Sequence, residues 1–164
     1  MTRDGMAITD KIAAGVGKGL AGSLELQANV RLELFGPDGK LKDVRESHNQ
    51  VQTAGLAFVA DQLSAAPGGA AIGWMAVGTG TGQAVGDTTL DTELDRNALD
   101  SSTDAGAVLT MVCTWAAADG TGAITEAGVF NAAVAGTMVV YDDFDVINKA
   151  AGDSLVVTWT ITIS

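Results

Sequence analysis

The residues most suggestive of chemistry form a glycine-rich loop, GTGTG, over Gly78–Gly82. Glycine-rich turns bind phosphates when their backbone amides converge at the start of a helix. The dinucleotide-binding fingerprint needs a third glycine where this chain has Gln83, with a helix directly behind it. A P-loop ends in Gly-Lys-Ser/Thr, yet no lysine lies between Lys42 and Lys149. The sequence therefore argues against nucleotide binding.

Carboxylates form two groups that could suit a cation. The first group, Asp87, Asp91 and Asp95, recurs at every fourth residue. The second group, Asp142, Asp143 and Asp145, lies within a single predicted strand. Strand alternation places the last two of these on one side. Neither group has the ligand pattern of an EF-hand loop. We predict no metal ligand among them and keep a bound calcium ion as the alternative.

The chain has one histidine, His48, and one cysteine, Cys113. A hydrolytic triad needs a nucleophile and a base oriented by a third group, and the sequence places no such set around His48. Cys113 lies in an alternating apolar run, which predicts a small buried side chain. A single cysteine excludes an internal disulfide and a multi-cysteine zinc site. The sequence thus predicts no enzyme, no catalytic residue and no cofactor.

β-structure is the clearest feature of the chain. From Leu155 to Ile163 every odd position is apolar, and hydroxyl residues fill the even positions from Thr158 to Ser164, as on a strand with one buried face. Further strands are predicted over residues 72–77, 108–116, 123–130 and 137–146. Strands at this spacing are typical of antiparallel sandwiches and barrels. We predict a mainly β protein, an antiparallel β-sandwich or barrel-like domain, with one or two short helices and an N-terminal arm.

A hairpin and a helix are expected before these strands. Pro37-Asp38-Gly39 predicts the hairpin turn, because proline presets φ and glycine accepts a positive φ. A helix is predicted from an Asn49 cap to a point before Pro67. Its apolar stripe is predicted to be Leu56, Val59 and Leu63.

A second helix, of one or two turns, is predicted from the capping box Thr88-x-x-Asp91. It would carry Leu90 and Leu94 as its apolar residues. It would also place the first group of aspartates on one face, where like charges repel one another mildly.

The predicted core combines residues from the hairpin, the first helix and the strands. Its members are Leu32, Leu34, Leu56, Leu109, Met111, Trp115, Phe130, Leu155, Val157, Trp159 and Ile161. Two of the three tryptophans therefore belong to the predicted core, whereas Trp74 is assigned to neither the core nor the surface.

Residues 1–27 are predicted to form the N-terminal arm and residues 28–164 the β-domain. The arm has apolar residues at helical spacing, but its glycines weaken a helix by up to ~1 kcal/mol each. We expect an arm that becomes ordered on a partner, with a frayed terminus as the alternative. Its predicted contact residues are Ile8, Ile12, Val16 and Leu20.

Charge is divided unevenly along a chain of formal net charge −11. Basic and acidic residues balance over residues 1–50, whereas only Arg96 and Lys149 offset the acids that follow. An acidic domain repels phosphates and anionic membranes, so neither nucleic acid nor membrane is expected as a partner. The contact surface is expected on the N-terminal third. Its predicted basic contact residues are Arg31, Lys40 and Lys42.

Several motifs occur in a fixed order along residues 28–164. They are WMAVGTG (74–80), GDTTL (86–90) with Glu93 and Arg96 after it, ITEAGVFN (124–131), GTM (136–138) and VTWTI (157–161). This set resembles a family of tailed-bacteriophage structural proteins with a small β-sandwich. The family pattern is VGTGT, GDT-L-x-x-E, I-x-E-x-G-L-F and a terminal T-W-T, and Val129 replaces its usual leucine. The resemblance implies a virion component without catalytic residues and does not extend to the arm.

Three functions are expected in descending order. The first is a capsid decoration (cement) protein on the virion surface, a homotrimer that binds the major capsid protein through its N-terminal third. The second is a tail, neck or fibre-attachment protein. The third is a carbohydrate-binding module that uses tryptophans as platforms. No secretory leader or apolar span of roughly 18 residues is apparent, so we expect assembly in the host cytoplasm.

Overall fold

The computed structural model describes residues 25–48 and 50–164. Within these ranges the chain forms ten strands and one helix. In chain order they are β1 (Leu26–Phe35), β2 (Leu41–His48), β3 (Gln50–Val51), α1 (Thr53–Gln62), β4 (Trp74–Gly78), β5 (Glu93–Ala98), β6 (Ser101–Ala105), β7 (Val108–Trp115), β8 (Gly122–Phe130), β9 (Met138–Lys149) and β10 (Ser154–Ile163).

Two antiparallel five-stranded sheets pack against each other. The first has the order β2-β1-β10-β7-β6 and the second β3-β9-β8-β4-β5. The sheets do not close on themselves, so the structure confirms a mainly β sandwich and not a barrel. The predicted arm lies almost wholly outside the described residues, including Ile8, Ile12, Val16 and Leu20. β1 begins at Leu26, so the last residues assigned to the arm belong to the sheet.

The strand β10 lies at the centre of the first sheet. Its alternation has the predicted consequence, because Leu155, Val157, Trp159 and Ile161 are all buried while the residues between them are partly exposed. Most of the predicted core is confirmed. The buried members are Leu32, Leu34, Met111, Trp115, Phe130, Leu155, Val157, Trp159 and Ile161. Leu109 is half-buried against this cluster.

The predicted hairpin is confirmed as β1 and β2. Its turn brings the amide of Gly39 to 2.9 Å from the carbonyl of Gly36. Gly39 has φ of 73°, which glycine adopts without the steric cost that other residues incur. The turn therefore matches the chemistry expected of its sequence.

The helix α1 is rotated away from its predicted orientation. It begins after Gln52, whereas Asn49 lies outside the described residues. Leu56 is 54% exposed and Leu63 78% exposed, so the predicted stripe and the core assignment of Leu56 are wrong. The buried helix residues are Gly55 and Phe58. The helix turns this face inward because the Gly55 backbone lies so close to the second sheet that only glycine fits there.

Gly55→Ala is expected to lower the free energy of unfolding by about 3 kcal/mol or more. The new Cβ would lie 2.1 Å from the Val139 carbonyl oxygen, so the helix must move off the sheet and expose Phe58. Helix propensity alone predicts the opposite sign, a gain of about 1 kcal/mol. Chemical denaturation measures the change. Ala60→Gly on the exposed side of α1 is the matched control, with an expected loss of about 1 kcal/mol, and a stabilised Gly55→Ala variant would contradict the close contact.

The second predicted helix is wrong. Residues 87–92 form an irregular segment with bends at 89, 91 and 92, and Glu93–Ala98 is the strand β5. The backbone amides of Asp91 and Thr92 are hydrogen-bonded to the carboxylate of Glu126, which holds this segment in a non-helical path. Leu90 is buried against the second sheet, whereas Leu94 is 40% exposed.

Candidate functional site

The glycine-rich loop closes on a buried carboxylate. Glu126 of β8 is fully buried, and its carboxylate accepts hydrogen bonds from the amides of Gly80 at 2.9 Å, Asp91 at 3.1 Å and Thr92 at 2.8 Å. Charge-assisted hydrogen bonds of this kind replace the water that a buried carboxylate loses. Glu126 therefore joins the strand β8 to both ends of the segment 79–92.

The glycines of this loop allow the backbone to reach Glu126. A Cβ on Gly78 would lie 2.3 Å from Oε1 of Glu126, and one on Gly80 would lie 2.7 Å from the same atom. The hydroxyl of Thr125 donates to the carbonyl of Gly80 at 2.7 Å. The amide of Gly80 thus faces the protein's own carboxylate, so it does not contribute to an anion-binding nest.

Residues 79–92 form an Ω-loop with a fixed stem and a fixed tip. At the stem, the amide of Thr79 donates to the carbonyl of Thr92 at 2.9 Å. At the tip, the amide of Thr53 in α1 donates to the carbonyl of Val85 at 2.9 Å. The loop borders a polar cleft of about 320 Å³. In this cleft Asp87 accepts a hydrogen bond from the amide of Ala84, so its carboxylate serves the loop itself.

Arg96 organises a second loop, residues 131–137. Its guanidinium donates to the carbonyls of Ala132 at 2.9 Å and Ala135 at 2.8 Å and pairs with Glu93 at 2.5 Å. The same group lies 3.6 Å from the centroid of the Phe130 ring, a favourable cation–π position. The motif residues that follow the Ω-loop therefore also serve the architecture.

The basic residues predicted to contact a partner lie on the β1–β2 hairpin. Each forms an ion pair within the chain: Arg31 with Glu33 at 2.9 Å and with Glu46, Lys40 with Asp38 at 3.0 Å, and Lys42 with Asp153 at 2.6 Å. The side chains of Arg31 and Lys40 are exposed, whereas Asp153 is buried. The structure thus gathers these residues on one hairpin but leaves no unpaired basic cluster among them.

The two acidic groups do not converge on a cation site. Asp87 and Asp91 lie in the irregular Ω-loop and Asp95 lies in β5, so this first group does not share one helical face. In the second, Asp142 is buried while Asp143 and Asp145 are exposed, as alternation predicts. Among residues 25–48 and 50–164, no three His, Cys, Asp or Glu side chains are grouped so as to hold a metal ion.

His48 and Cys113 are separate from each other in the fold. His48 is exposed at the end of β2 and hydrogen-bonds Asn29. Cys113 is fully buried, as predicted, and burial raises the pKa of its thiol to about 12. A thiol with this pKa is protonated and unreactive near neutral pH.

Asp142 is a buried carboxylate that the sequence did not reveal as unusual. It is 4% exposed, and its Oδ2 has no hydrogen-bond partner among the described residues. Burial raises its pKa to about 6, a hydrogen bond with Ser47 opposes the increase, and the charge of Asp143 adds to it. Ionisation of Asp142 is therefore less favourable in the folded protein than in the unfolded chain.

Asp142→Asn is expected to stabilise the protein above pH 6. The pKa of Asp142 is raised from 3.8 in the unfolded chain to about 6 in the folded protein. Between these two pH values the folded state binds more protons than the unfolded state, so the free energy of unfolding falls as the pH rises. The full cost of ionisation is about 3 kcal/mol, so the variant should recover up to that amount at pH 8. Urea denaturation between pH 4 and pH 8 measures this. Asp145→Asn, exposed on the same strand, is the control, and an unchanged slope for Asp142→Asn would contradict the assignment.

Comparison with known proteins gives no match among protein-family models, curated proteins or solved structures. Within the described ranges, no helix has the length and apolar character needed to cross a membrane.

Proposed function

We propose that this chain is a structural component of a tailed-bacteriophage virion, a capsid decoration protein that binds and stabilises the shell. The observation that supports this proposal is how the motif residues are used. Glu126, Gly80 and Arg96 are hydrogen-bonded to other parts of the same chain, and Gly78 makes room for the Glu126 carboxylate. Motif residues that hold the sandwich rigid are what we expect of a protein whose function is to attach to the capsid shell.

The charge distribution supports one mode of attachment. The N-terminal third has no net charge, and the hairpin within it presents Arg31 and Lys40 in exposed ion pairs. Exposed ion pairs contribute about 0–1 kcal/mol each, so such cations can exchange an internal carboxylate for a partner's carboxylate at little cost. The acidic remainder would face solvent. A homotrimer would present three such hairpins, and several weak contacts then give avidity.

Binding to capsids tests this proposal. Recombinant protein is mixed with shells of the phage that encodes it, from which the protein has been removed, and bound protein is measured by co-sedimentation. We expect binding by the full chain, weaker binding after deletion of residues 1–24 and after Arg31→Glu with Lys40→Glu, and heat resistance restored to the shells. Asp104→Asn, exposed on β6 and away from the hairpin, is the control. Full chain that does not bind shells would refute the proposal.

The copy number in the virion distinguishes the tail or neck alternative. A number close to that of the major capsid protein supports decoration, whereas a few copies per particle supports a tail part.

The carbohydrate-binding alternative needs exposed tryptophan rings on which sugars can stack. Trp115 and Trp159 are fully buried, and of the three tryptophans only Trp74 is partly exposed.

A further inference from the structure

Asp142 lies where the two sheets meet along one side of the sandwich. Its strand β9 belongs to the second sheet, and the edge strand β2 of the first sheet lies against it. Ser47 of β2 hydrogen-bonds the Asp142 carboxyl group, and the Arg45 guanidinium donates to the carbonyls of Asp145 at 3.2 Å and Val146 at 3.0 Å. We call these five residues the β2–β9 contact. Among the described strands β2 pairs only with β1, so this contact joins its other side to the second sheet.

The β2–β9 contact fits a protonated Asp142 better than an ionised one. The side chain is buried, and its Oδ2 has no hydrogen-bond partner among the described residues. A carboxylate presents two oxygens that only accept hydrogen bonds, whereas protonation makes one of them a donor. A buried charge without enough donors is costly. Ionised Asp142 therefore gains if water or another donor can reach its second oxygen.

The charged side chains of β2 do not supply that donor. Arg45 is committed to Asp43 and to the backbone carbonyls of Val44, Asp145 and Val146. The ring of His48 hydrogen-bonds Asn29 on β1, and Glu46 pairs with Arg31. At the start of the strand, Lys42 pairs with Asp153. Each cation of this strand is therefore already bound elsewhere.

The elements of the second sheet do not supply it either. Asp143 follows Asp142 on β9, and Glu126 lies beside its cross-strand partner on β8, so both neighbours are carboxylates. Lys149 donates to a backbone carbonyl at the far end of β9. Helix α1, which packs on β9, has Asp61 as its only charged residue. Opening of the β2–β9 contact is then the direct way to hydrate an ionised Asp142.

We propose that the β2–β9 contact is a pH-sensitive switch, closed while Asp142 is protonated and opened locally, over Val44–His48, once Asp142 releases its proton to water. A groove of about 460 Å³, lined by Ser47 and Asp143 among others, borders the contact and gives water a route to the carboxylate. Burial raises the pKa of Asp142 from 3.8 to about 6 in the closed state, so opening becomes more favourable as the pH rises between these values. This inference does not depend on the capsid role.

Hydrogen exchange of the full chain between pH 5 and pH 8, corrected for intrinsic exchange rates, tests the proposal. Linkage predicts that the equilibrium constant for opening at Val44–His48 rises by about tenfold over this range and levels off above about pH 7. A local opening exposes little surface, so these amides should exchange faster than those of the central strand β10 and respond little to dilute urea. In Asp142→Asn, which does not titrate, their protection should not change with pH.

Two variants serve as controls. Histidines titrate in the same pH range, so His48→Gln separates the two groups and should leave the tenfold change intact. Asp145→Asn removes an exposed carboxylate of the same strand and should also leave it intact. The proposal is overturned if the wild type shows no change, if the change survives Asp142→Asn, or if it disappears in His48→Gln. It is equally overturned if Val44–His48 exchanges only together with β10, because the opening is then global.

Discussion

Glu126→Ala is expected to lower the free energy of unfolding by about 4 kcal/mol or more. The substitution leaves the amides of Gly80, Asp91 and Thr92 without their acceptor, a carboxylate that is fully buried. Each buried polar group without a partner costs about 1–3 kcal/mol, and the lost side chain leaves a cavity besides. Chemical denaturation measures the loss, and hydrogen exchange should show faster exchange at these three amides than elsewhere in the second sheet.

Two further variants separate the causes. Glu126→Gln keeps the side-chain volume but turns a donor group toward amides that are themselves donors, so we expect an intermediate loss. Glu46→Gln changes a carboxylate whose side chain is 66% exposed and should alter stability by less than about 0.5 kcal/mol. A Glu126→Ala variant within about 1 kcal/mol of the wild type would contradict the role of this carboxylate in closing the Ω-loop.

Trp159→Ala is expected to cost about 3–5 kcal/mol, a large part of the total stability of a domain of this size. Trp159 is fully buried on β10, where it pairs with Val30 of β1 and with Met111 of β7. Its removal therefore opens a cavity at the middle of the sandwich. Urea denaturation followed by circular dichroism measures the loss without relying on the deleted fluorophore.

The neighbouring residue Thr160 provides the control. It lies on the partly exposed face of the same strand, so Thr160→Ala should cost less than about 1 kcal/mol. Equal losses for Thr160→Ala and Trp159→Ala would show that strand propensity, and not core packing, determines the effect.

Several strands that the sequence predicted alternate along their length, whereas β4 was predicted from a short apolar run. β7 and β10 bury one face each, so their hydrophobic period of two is visible in the chain. β5 and β6 were not predicted because their residues are mostly polar, and Ser101–Ala105 is exposed throughout at the edge of its sheet. A strand with no buried face has no apolar pattern, so only its pairing with β7 defines it.

The errors elsewhere come from contacts between distant segments. The orientation of α1 is set by the approach of Gly55 to Val139, which no helical periodicity encodes. Part of the candidate site could be predicted, because the order of its motifs is visible in the sequence. The role of Glu126 could not be predicted, because its hydrogen-bond partners, Gly80, Asp91 and Thr92, lie far from it in the sequence. One signal was present: Glu126 is the only charged residue in the apolar segment ITEAGVF.

The pairing of β1 with β10 has a consequence for folding kinetics. Val30 meets Trp159 across the centre of the first sheet, although nearly the whole described chain separates them. Domains dominated by such non-local pairings fold slowly, on a scale of roughly milliseconds to seconds. The hairpin can form early, but β1 and β7 keep unpaired edges until β10 inserts between them. Nascent chains that lack β10 therefore expose two unpaired strand edges that can pair with other chains. The protein is most prone to aggregation between its synthesis and the completion of this sheet.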